Sequence, residues 1–283
     1  MILVIGGTGK VGGELLKQLA QAGVKTRVLV RSAQKAETVH KLGLETVEGD
    51  VTRISTIEAA VKGIEGLFLL TTPSPIQASL EMAVIDTAKK AGVKKIVLLS
   101  ALGADLQSAI TLAQQHAKSE EYLKASGVAY TILRPHTFMQ NMLGNAETIK
   151  KGAIYSNFKD GKIAMVDTRD IAAVALAALT QNGHEGKTYA ITGGEAFSYH
   201  QLAEKLSTLT GKKVNYVDIP TSEAVKAMTG MGMPPWLAVD LAKMGEFFAS
   251  GKAADTTDVV EKVAKKKPIT LDQFLKDHVG AFK

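Results

Sequence analysis

Through residues 1–135 the chain alternates apolar runs of strand length with helical patterns, and few architectures accept that order. The runs are MILVIG (1–6), KTRVLVR (25–31), LETVEGD (44–50), GLFLLTT (66–72), KKIVLLS (94–100) and AYTILRP (129–135). Helical patterns begin between them near Lys10, Ala33, Ile54, Pro75 and Ala109. Strands that are apolar on both faces need helices on both sides, so the pattern predicts an α/β fold built on a doubly wound parallel sheet. Right-handed crossovers in such a sheet gather ligands at the carboxyl ends of the strands. The residues to inspect are those that follow each apolar run.

After Arg134 the rhythm changes. A helical stretch, HTFMQNMLGNAETIKKG (136–152), leads through a turn-rich region to a second helix, TRDIAAVALAALTQ (168–181). A strand, KTYAIT, a helix, SYHQLAEKLSTLTG, and a strand-like piece, KVNYVDIP, come next, and the remainder reads as helices joined by loops. With no repeat or low-complexity linker, the expected organisation is a cofactor domain of residues 1–135, to which strands near 152–192 return. Residues 193–283, together with 136–151, are expected to form a smaller, mostly helical C-terminal subdomain for substrate or a lid.

Composition narrows the chemistry. The chain has no cysteine, which removes disulfides, thiolate metal sites and thiol catalysis together. Its six histidines, at 40, 116, 136, 184, 200 and 278, make no HxxxH or HExxH pair, so no metal site is expected. The net charge of +6 is spread along the chain, which reads as a solvated surface and not a nucleic-acid face. MILVIGG has no basic segment before it, and the longest uncharged apolar run, IAAVALAAL (171–179), is about half of the 18 or so residues that span a bilayer. The expectation is a cytoplasmic protein with neither nucleic acid nor membrane as partner.

The stretch VIGGTGKVGGELL (4–16) gives Gly7, Gly9 and Gly12 the GxGxxG spacing, between the first strand and the first helix. That is the context a dinucleotide pyrophosphate requires: a tight turn at Gly7, close backbone approach at Gly9 and helix packing at Gly12, with amides of residues 8 to 11 at a helix N-terminus. The motif belongs to the Rossmann fold, and Gly6, Gly7, Thr8, Gly9, Lys10, Val11 and Gly12 are the candidate cofactor residues. An NAD-preferring site places an acid roughly 20 residues further on. This chain has Arg31 there, with Lys35 nearby, and a guanidinium can hold a 2′-phosphate bidentately, so NADP(H) is the expected cofactor. Asp50, with Val51 beside it, is placed either for the adenine amino group or to cap the helix that follows.

Taken together, GGTGKVG, Arg31, EGDV, LLTTP, HAKSEEYLKASGVAYTILRPHTFMQN, VDTRDIAAVA and GKTYAITGGEAFSYHQLAEKLS resemble the NmrA-like branch of atypical short-chain dehydrogenases, from residue 1 to about 210. That branch holds NAD(P)H-dependent quinone and dye reductases, and also NADP(H)-binding regulators. The wider superfamily carries Tyr-x-x-x-Lys on the helix after its fifth strand, and extended members often add a glutamate four residues later. Setting Glu120 on that glutamate puts His116 at the lysine position and Leu112 at the tyrosine position, so the general acid is missing. The resemblance makes His116 the candidate catalytic residue, able to hydrogen-bond a nicotinamide ribose or to donate a proton from an ordinary pKa near 6.5. The other reading is an ordinary helix histidine. Lys118 lies about 200° around the helix from it and is set aside. The resemblance also implies that Thr71, Thr72 and Pro73 pass the nicotinamide half of the cofactor, with a simple turn as the alternative, and that Pro135, His136, Phe138 and Asn141 meet the nicotinamide, with core packing as the alternative for Phe138 and Met139. Ser100, also a candidate cofactor-site residue, either hydrogen-bonds substrate or ends its strand. Asp170 reads as a cap or an internal pair.

The expected function is an NADPH-dependent reductase that delivers hydride directly to a small planar apolar acceptor such as a quinone or dye, which needs no dedicated acid. A non-catalytic NADP(H) sensor is the alternative, and a sugar-nucleotide epimerase is disfavoured because that chemistry needs the tyrosine. AMTGMGMPPWLAVDL (227–241) reads either as an apolar lid or as a loop packed on the core. The oligomeric state stays open.

Overall fold

All six apolar runs are strands, and each interval between them holds a helix. In chain order these are β1 (Ile2–Val4), α1 (Lys10–Gln21), β2 (Thr26–Val30), α2 (Ala33–His40), β3 (Glu45–Glu48), α3 (Ile54–Ala60), β4 (Gly66–Leu69), α4 (Gln77–Lys90), β5 (Lys95–Leu99), α5 (Thr111–Ala125) and β6 (Ala129–Pro135). The computed structural model describes residues 1–283, and after β6 it adds a 3-10 helix (Met139–Asn145), α6 (Ala146–Lys150), β7 (Ala153–Ser156), α7 (Thr168–Thr180), β8 (Lys187–Ile191), α8 (Tyr199–Thr210) and β9 (Asn215–Asp218). The chain ends in α9 (Thr221–Gly230), α10 (Pro235–Ala249), α11 (Val259–Ala264), α12 (Leu271–Asp277) and α13 (Val279–Phe282). No helix is long and apolar enough to cross a membrane.

Contacts divide the residues into two units. The first comprises Met1–Pro135, Thr168–Ile191 and Val259–Lys266. Its sheet has seven strands in the order β3-β2-β1-β4-β5-β6-β8, and every pair is parallel. This is the doubly wound fold read from the sequence. The chain runs outward from β1 through β2 to β3 and then crosses to β4, so the order reverses between β1 and β4, where a ligand crevice forms. Burial accounts for the strands' composition: Leu3, Val4, Val28, Leu67, Phe68, Leu69, Ile96, Val97 and Leu98 are all fully buried, with helices on both faces. The amphipathic α1 buries Val11, Leu15, Leu16 and Leu19 and packs on α7, whose alanines permit close approach. Gln18 on α1 donates to the Arg169 carbonyl at 2.9 Å, and Lys266, just beyond α11, pairs with the buried Asp170 at 2.7 Å.

The second unit comprises His136–Asp167, Thr192–Asp258 and Lys267–Lys283. Its core gathers Met139, Met142, Ile154, Ile163, Met165, Leu202, Leu206, Phe248, Phe274 and Phe282 around a two-stranded parallel sheet of β7 and β9. The helix α8 begins in a full capping box, Ser198 with Gln201, and ends at Gly211 in the left-handed conformation. Two boundaries differ from the sequence reading. Ala153–Ser156 pairs with β9 and does not return to the large sheet, because it buries only one face: Ile154 and Ser156 point inward while Tyr155 is exposed. In the opposite sense, Val259–Lys266 leaves the C-terminal portion and joins the first unit, where α11 buries Val260 and Val263 and packs on α7. The stretch expected as one helix over 136–152 is a 3-10 helix followed by the five-residue α6, and the asparagines and glycine at 141, 144 and 145 are poor helix formers.

Candidate functional site

The glycine turn sits between β1 and α1 at the carboxyl end of the sheet. Its positive φ falls at Gly6 (+85°), where a Cβ would also strike the Leu70 carbonyl oxygen. Gly7 therefore does not make the tight turn assigned to it from sequence. It is buried, and a Cβ there would lie 2.7 Å from Val28 Cγ1, so its constraint is packing against β2. At Gly12 a Cβ would press on the backbone of Gly6 and stand 2.8 Å from Gly7 Cα, so the start of α1 lies close against the turn. Gly9 is the helix N-cap, exposed, and a Cβ would meet only the Gly6 oxygen at 3.4 Å, which leaves its outer face open to a ligand. The Gly9 amide donates to the Gly6 carbonyl at 3.1 Å, which withdraws one of the four amides that sequence had aimed at an anion. No side chain caps α1 and no acid lies in its first turn, so its positive end is free of competing charge.

Arg31 directly follows β2 and is exposed, with no hydrogen bond or ion pair inside the protein. The Gly49 amide donates to the Val30 carbonyl at 2.9 Å, which brings Asp50 to the strand end beside Arg31. Asp50 accepts from the Thr52 amide (2.9 Å) and hydroxyl (2.8 Å), and these bonds, helped by the Arg31 and Arg53 charges, hold its carboxyl below the usual range. It does not cap α3, whose N-cap is Arg53. Val51 is half-buried next to it. Arg31, Arg53 and Lys35 thus give this edge an exposed cationic rim.

At the next strand ends the polar groups turn inward. Thr71, after β4, is buried and donates its hydroxyl to Glu81 Oε1 at 2.7 Å, while Thr72 and Pro73 are exposed. Gln77 donates to the same Glu81 oxygen at 3.2 Å, and its Nε2 lies 3.4 Å from His116 Nδ1. Gln115 accepts from the Ala78 amide at 2.9 Å, satisfying an end of α4. His116 is thus buried, at 7% exposure, in a polar seam where α4 packs on α5. Burial lowers its pKa to about 4, against which the Glu120 charge acts only weakly. This corrects the proton-donor role: at neutral pH His116 is a neutral imidazole, and the ordinary pKa near 6.5 does not apply. Burial also pushes the Glu81 carboxyl above its usual value.

Ser100, after β5, donates to Glu120 Oε1 at 2.5 Å, and Arg134 in β6 forks onto both Glu120 oxygens at 2.8 and 2.5 Å. This clamp ties β5, α5 and β6 together, and because the Ser100 amide donates to the Leu133 carbonyl at 2.8 Å, Ser100 has only oxygen lone pairs to offer a ligand. Leu112 is half-buried at the start of α5, one turn before His116, and Lys118 is exposed. Pro135 is buried at the end of β6. The turn residues 6–12, Arg31, Asp50, Val51, Thr71–Pro73, Ser100, His116 and Pro135 therefore all lie in the first unit, at or beyond strand carboxyl ends. A concavity lined by Ile2, Lys25, Gly66, Lys95 and Ala129 opens at the opposite, amino ends, where parallel sheets of this kind do not place their ligands.

Phe138, His136 and Asn141 belong to the second unit. Phe138 is half-buried and bridges to Val166, Asn141 is exposed and donates to Thr137 Oγ1 at 3.2 Å, and His136 stacks near Phe248 with its pKa lowered by burial to about 4. Met139 is a core residue. Of 227–241, Met231 is three-quarters exposed, whereas Ala238 and Asp240 are buried. The sequence reading missed Gln77 and Glu81. The signal was present: they stand one turn apart on the stripe of α4 that continues through Val84, Ile85 and Ala88, so they had to be buried.

A parallel sheet opened by a glycine turn, an exposed guanidinium after β2 and Leu112, not a tyrosine, one turn before His116 on α5 define a dinucleotide-binding α/β protein of the Rossmann type. Comparison places it more closely: the NmrA-like family model matches residues 1–275, and the chain belongs to that family. It is 38% identical over 283 residues to an NAD(P)H azoreductase from Xenophilus azovorans, covering 100% of this chain and 99% of that one. An NADPH-dependent quinone oxidoreductase from Escherichia coli, solved in complex with NADPH, superposes with a TM-score of 0.89 at 30% identity, covering 99% of this chain and all of the other. A triphenylmethane reductase from Citrobacter, solved with NADP(H), gives 0.86 at 28% identity over 98% of this chain and 99% of the other.

Proposed function

We propose that this chain is an NADPH-dependent reductase that passes hydride directly to a small, planar, electron-poor acceptor, a quinone or a dye-like molecule. The observation that carries the reading is the end-to-end likeness to a quinone oxidoreductase solved with NADPH, in a chain that has Leu112 where a proton-donating tyrosine would stand. NADPH, when bound, supplies the hydride from its nicotinamide ring. The residues fit it. The cradle at Gly9 and Gly12 is one that a Cβ would narrow or fill, and it receives the pyrophosphate at the uncapped start of α1. Arg31 takes the 2′-phosphate, and Asp50 and Val51 flank the adenine. The strand ends at Thr71–Pro73, Ser100 and Pro135, with His116, line the nicotinamide half.

Within this reading His116 acts as a neutral hydrogen-bond donor, and catalysis comes from positioning the acceptor against the nicotinamide in a site that excludes water. The test mixes purified protein, NADPH and a panel of quinones, azo dyes and cationic dyes, and follows the nicotinamide absorbance. Consumption above the uncatalysed background is expected. Tight NADPH binding with no consumption across the panel would overturn the reductase reading in favour of a sensor.

A further inference from the structure

Five polar side chains meet where α4 packs on α5, and the reductase reading uses only one of them. Gln77, Glu81 and Ser119 are each fully buried, and Gln115 and His116 nearly so. Glu81 Oε1 accepts from the Thr71 hydroxyl and from Gln77 Nε2. An amide nitrogen carries two hydrogens, and with one directed to Glu81 the second is left for His116 Nδ1, 3.4 Å away.

We propose that Gln77 is a positioning residue for His116, fixing the imidazole as the tautomer that carries its hydrogen on Nε2, and that Glu81 holds Gln77 in place. The inference rests on the reductase reading, in which His116 faces the bound reactants. An amide nitrogen can only donate, so the ring nitrogen facing it must accept, and a neutral imidazole then has its one hydrogen on the far nitrogen. Burial of the imidazole keeps His116 neutral at pH 7, so it has no second hydrogen to place on Nδ1.

The amide orientation follows from the same contacts. As it stands, Gln77 Oε1 is the group without a partner. Turning the amide over would put the oxygen between Glu81 and His116 and leave two buried N–H groups unpaired in place of one acceptor, which costs more. Glu81 sharpens the choice because its Oε1 already accepts from Thr71 and receives one Gln77 hydrogen, setting the amide plane. The outcome is a directional donor: Nε2–H, on the side of the ring away from α4, can hold an oxygen of the acceptor or of the nicotinamide ribose without giving its proton up.

The test is the imidazole tautomer, read by long-range proton–nitrogen correlation on the full-length 15N-labelled protein at pH 7, with His116→Gln used to assign the signal. Wild type is expected to show a single Nε2–H tautomer. Gln77→Leu is expected to give a mixture of tautomers and to lower kcat with a quinone about tenfold, with NADPH affinity little changed. Glu81→Gln, which keeps an oxygen toward Gln77, is expected to retain the Nε2–H signal. An Nδ1–H tautomer in the wild type would overturn the proposal with no variant needed, as would an unchanged tautomer in Gln77→Leu. Absence of turnover in the wild type would sink the reductase reading alone, since the tautomer is measured independently of it.

Discussion

Alanine at Gly9 and at Gly12 should have opposite consequences, and the geometry sets the sizes. At Gly12 the new methyl would press on the Gly6 carbonyl and lie 2.8 Å from Gly7 Cα, where ordinary contacts begin at 3.4 Å. Both neighbours are backbone, so either the turn or the start of α1 must move. Overpacking of this kind costs up to about 3 kcal/mol, and alanine's better helix propensity returns about 1. The net loss of about 2 kcal/mol lowers the thermal midpoint by roughly 3–4 °C in a chain of this size. At Gly9 the methyl meets only the Gly6 oxygen at 3.4 Å, and φ −84° with ψ −180° suits alanine. Losing a glycine N-cap costs about 0.5 kcal/mol, or roughly 1 °C. The same methyl nevertheless points outward at the helix start, where the pyrophosphate must come within hydrogen-bond reach. Weakening one or two charge-assisted bonds of about 1.5–3 kcal/mol raises the Kd for NADPH roughly 10–100-fold. Differential scanning calorimetry and isothermal titration on the two variants separate the effects. A Gly9→Ala protein that binds NADPH as tightly as wild type would show that the turn does not hold the pyrophosphate.

Three further outcomes follow from the site. Arg31→Ala should raise the Kd for NADPH roughly tenfold while that for NADH moves less than about twofold, since an exposed, screened guanidinium–phosphate pair contributes about 1.5 kcal/mol; equal losses for both coenzymes in titrations at one salt concentration would refute the 2′-phosphate role. Glu120→Ala should destabilise the protein by about 3 kcal/mol in urea unfolding, because it strips a fully buried carboxylate from Arg134 and Ser100; a loss under 1 kcal/mol would mean that the clamp is not structural. Stability should also fall with acidity: His116 and His136 titrate near 4 when folded and near 6.5 when unfolded, so between those values the unfolded chain binds more protons and is favoured as the pH drops. Integrated over that interval, His116 alone accounts for roughly 1.5 kcal/mol between pH 6.5 and 5, and His116→Gln should reduce the stability lost across the interval by that amount in urea titrations. Glu81 contributes with the opposite sign, its raised carboxyl stabilising at low pH and losing that contribution as the pH climbs through its folded pKa.

The sheet was legible because a parallel strand buried on both faces has to be apolar throughout, and β1 to β6 announce themselves that way; the helices between them begin within two residues of where the patterns place them. β7 was not legible, since four residues with one exposed face carry too little signal to separate a strand from a turn. The glycine turn was recognised as a motif but its division of labour was misread, because which glycine takes the positive φ depends on where Leu70 lies across the sheet. The place of Arg31 was legible, because an exposed residue directly after an apolar strand depends on no distant contact. The state of His116 was not, because its protonation is set by burial, and only the packing of α4 on α5 supplies that burial and brings Gln77, 39 positions away, against the ring.

A neutral imidazole and a leucine in place of the acid restrict which acceptors this site can reduce. Hydride arriving at a simple ketone leaves an alkoxide, whose basicity is comparable to that of hydroxide. A group titrating near 4 is already deprotonated at pH 7 and cannot supply that proton in step with the hydride. Hydride arriving at a quinone leaves a phenolate-like oxygen, stable as an anion because phenols titrate near 10, and a cationic dye is simply neutralised. A hydrogen bond from His116 Nε2 is enough for the first and unnecessary for the second. The site is therefore expected to turn over quinones and cationic dyes and to leave a cyclic ketone of matching shape untouched. Adding a tyrosine at Leu112 should not by itself restore ketone reduction, because the histidine four residues on carries no positive charge to lower the phenol's pKa. NADPH oxidation by such a ketone in the wild-type protein, at a rate within tenfold of the quinone's, would show that a proton donor exists in the site and that the neutral-histidine account is wrong.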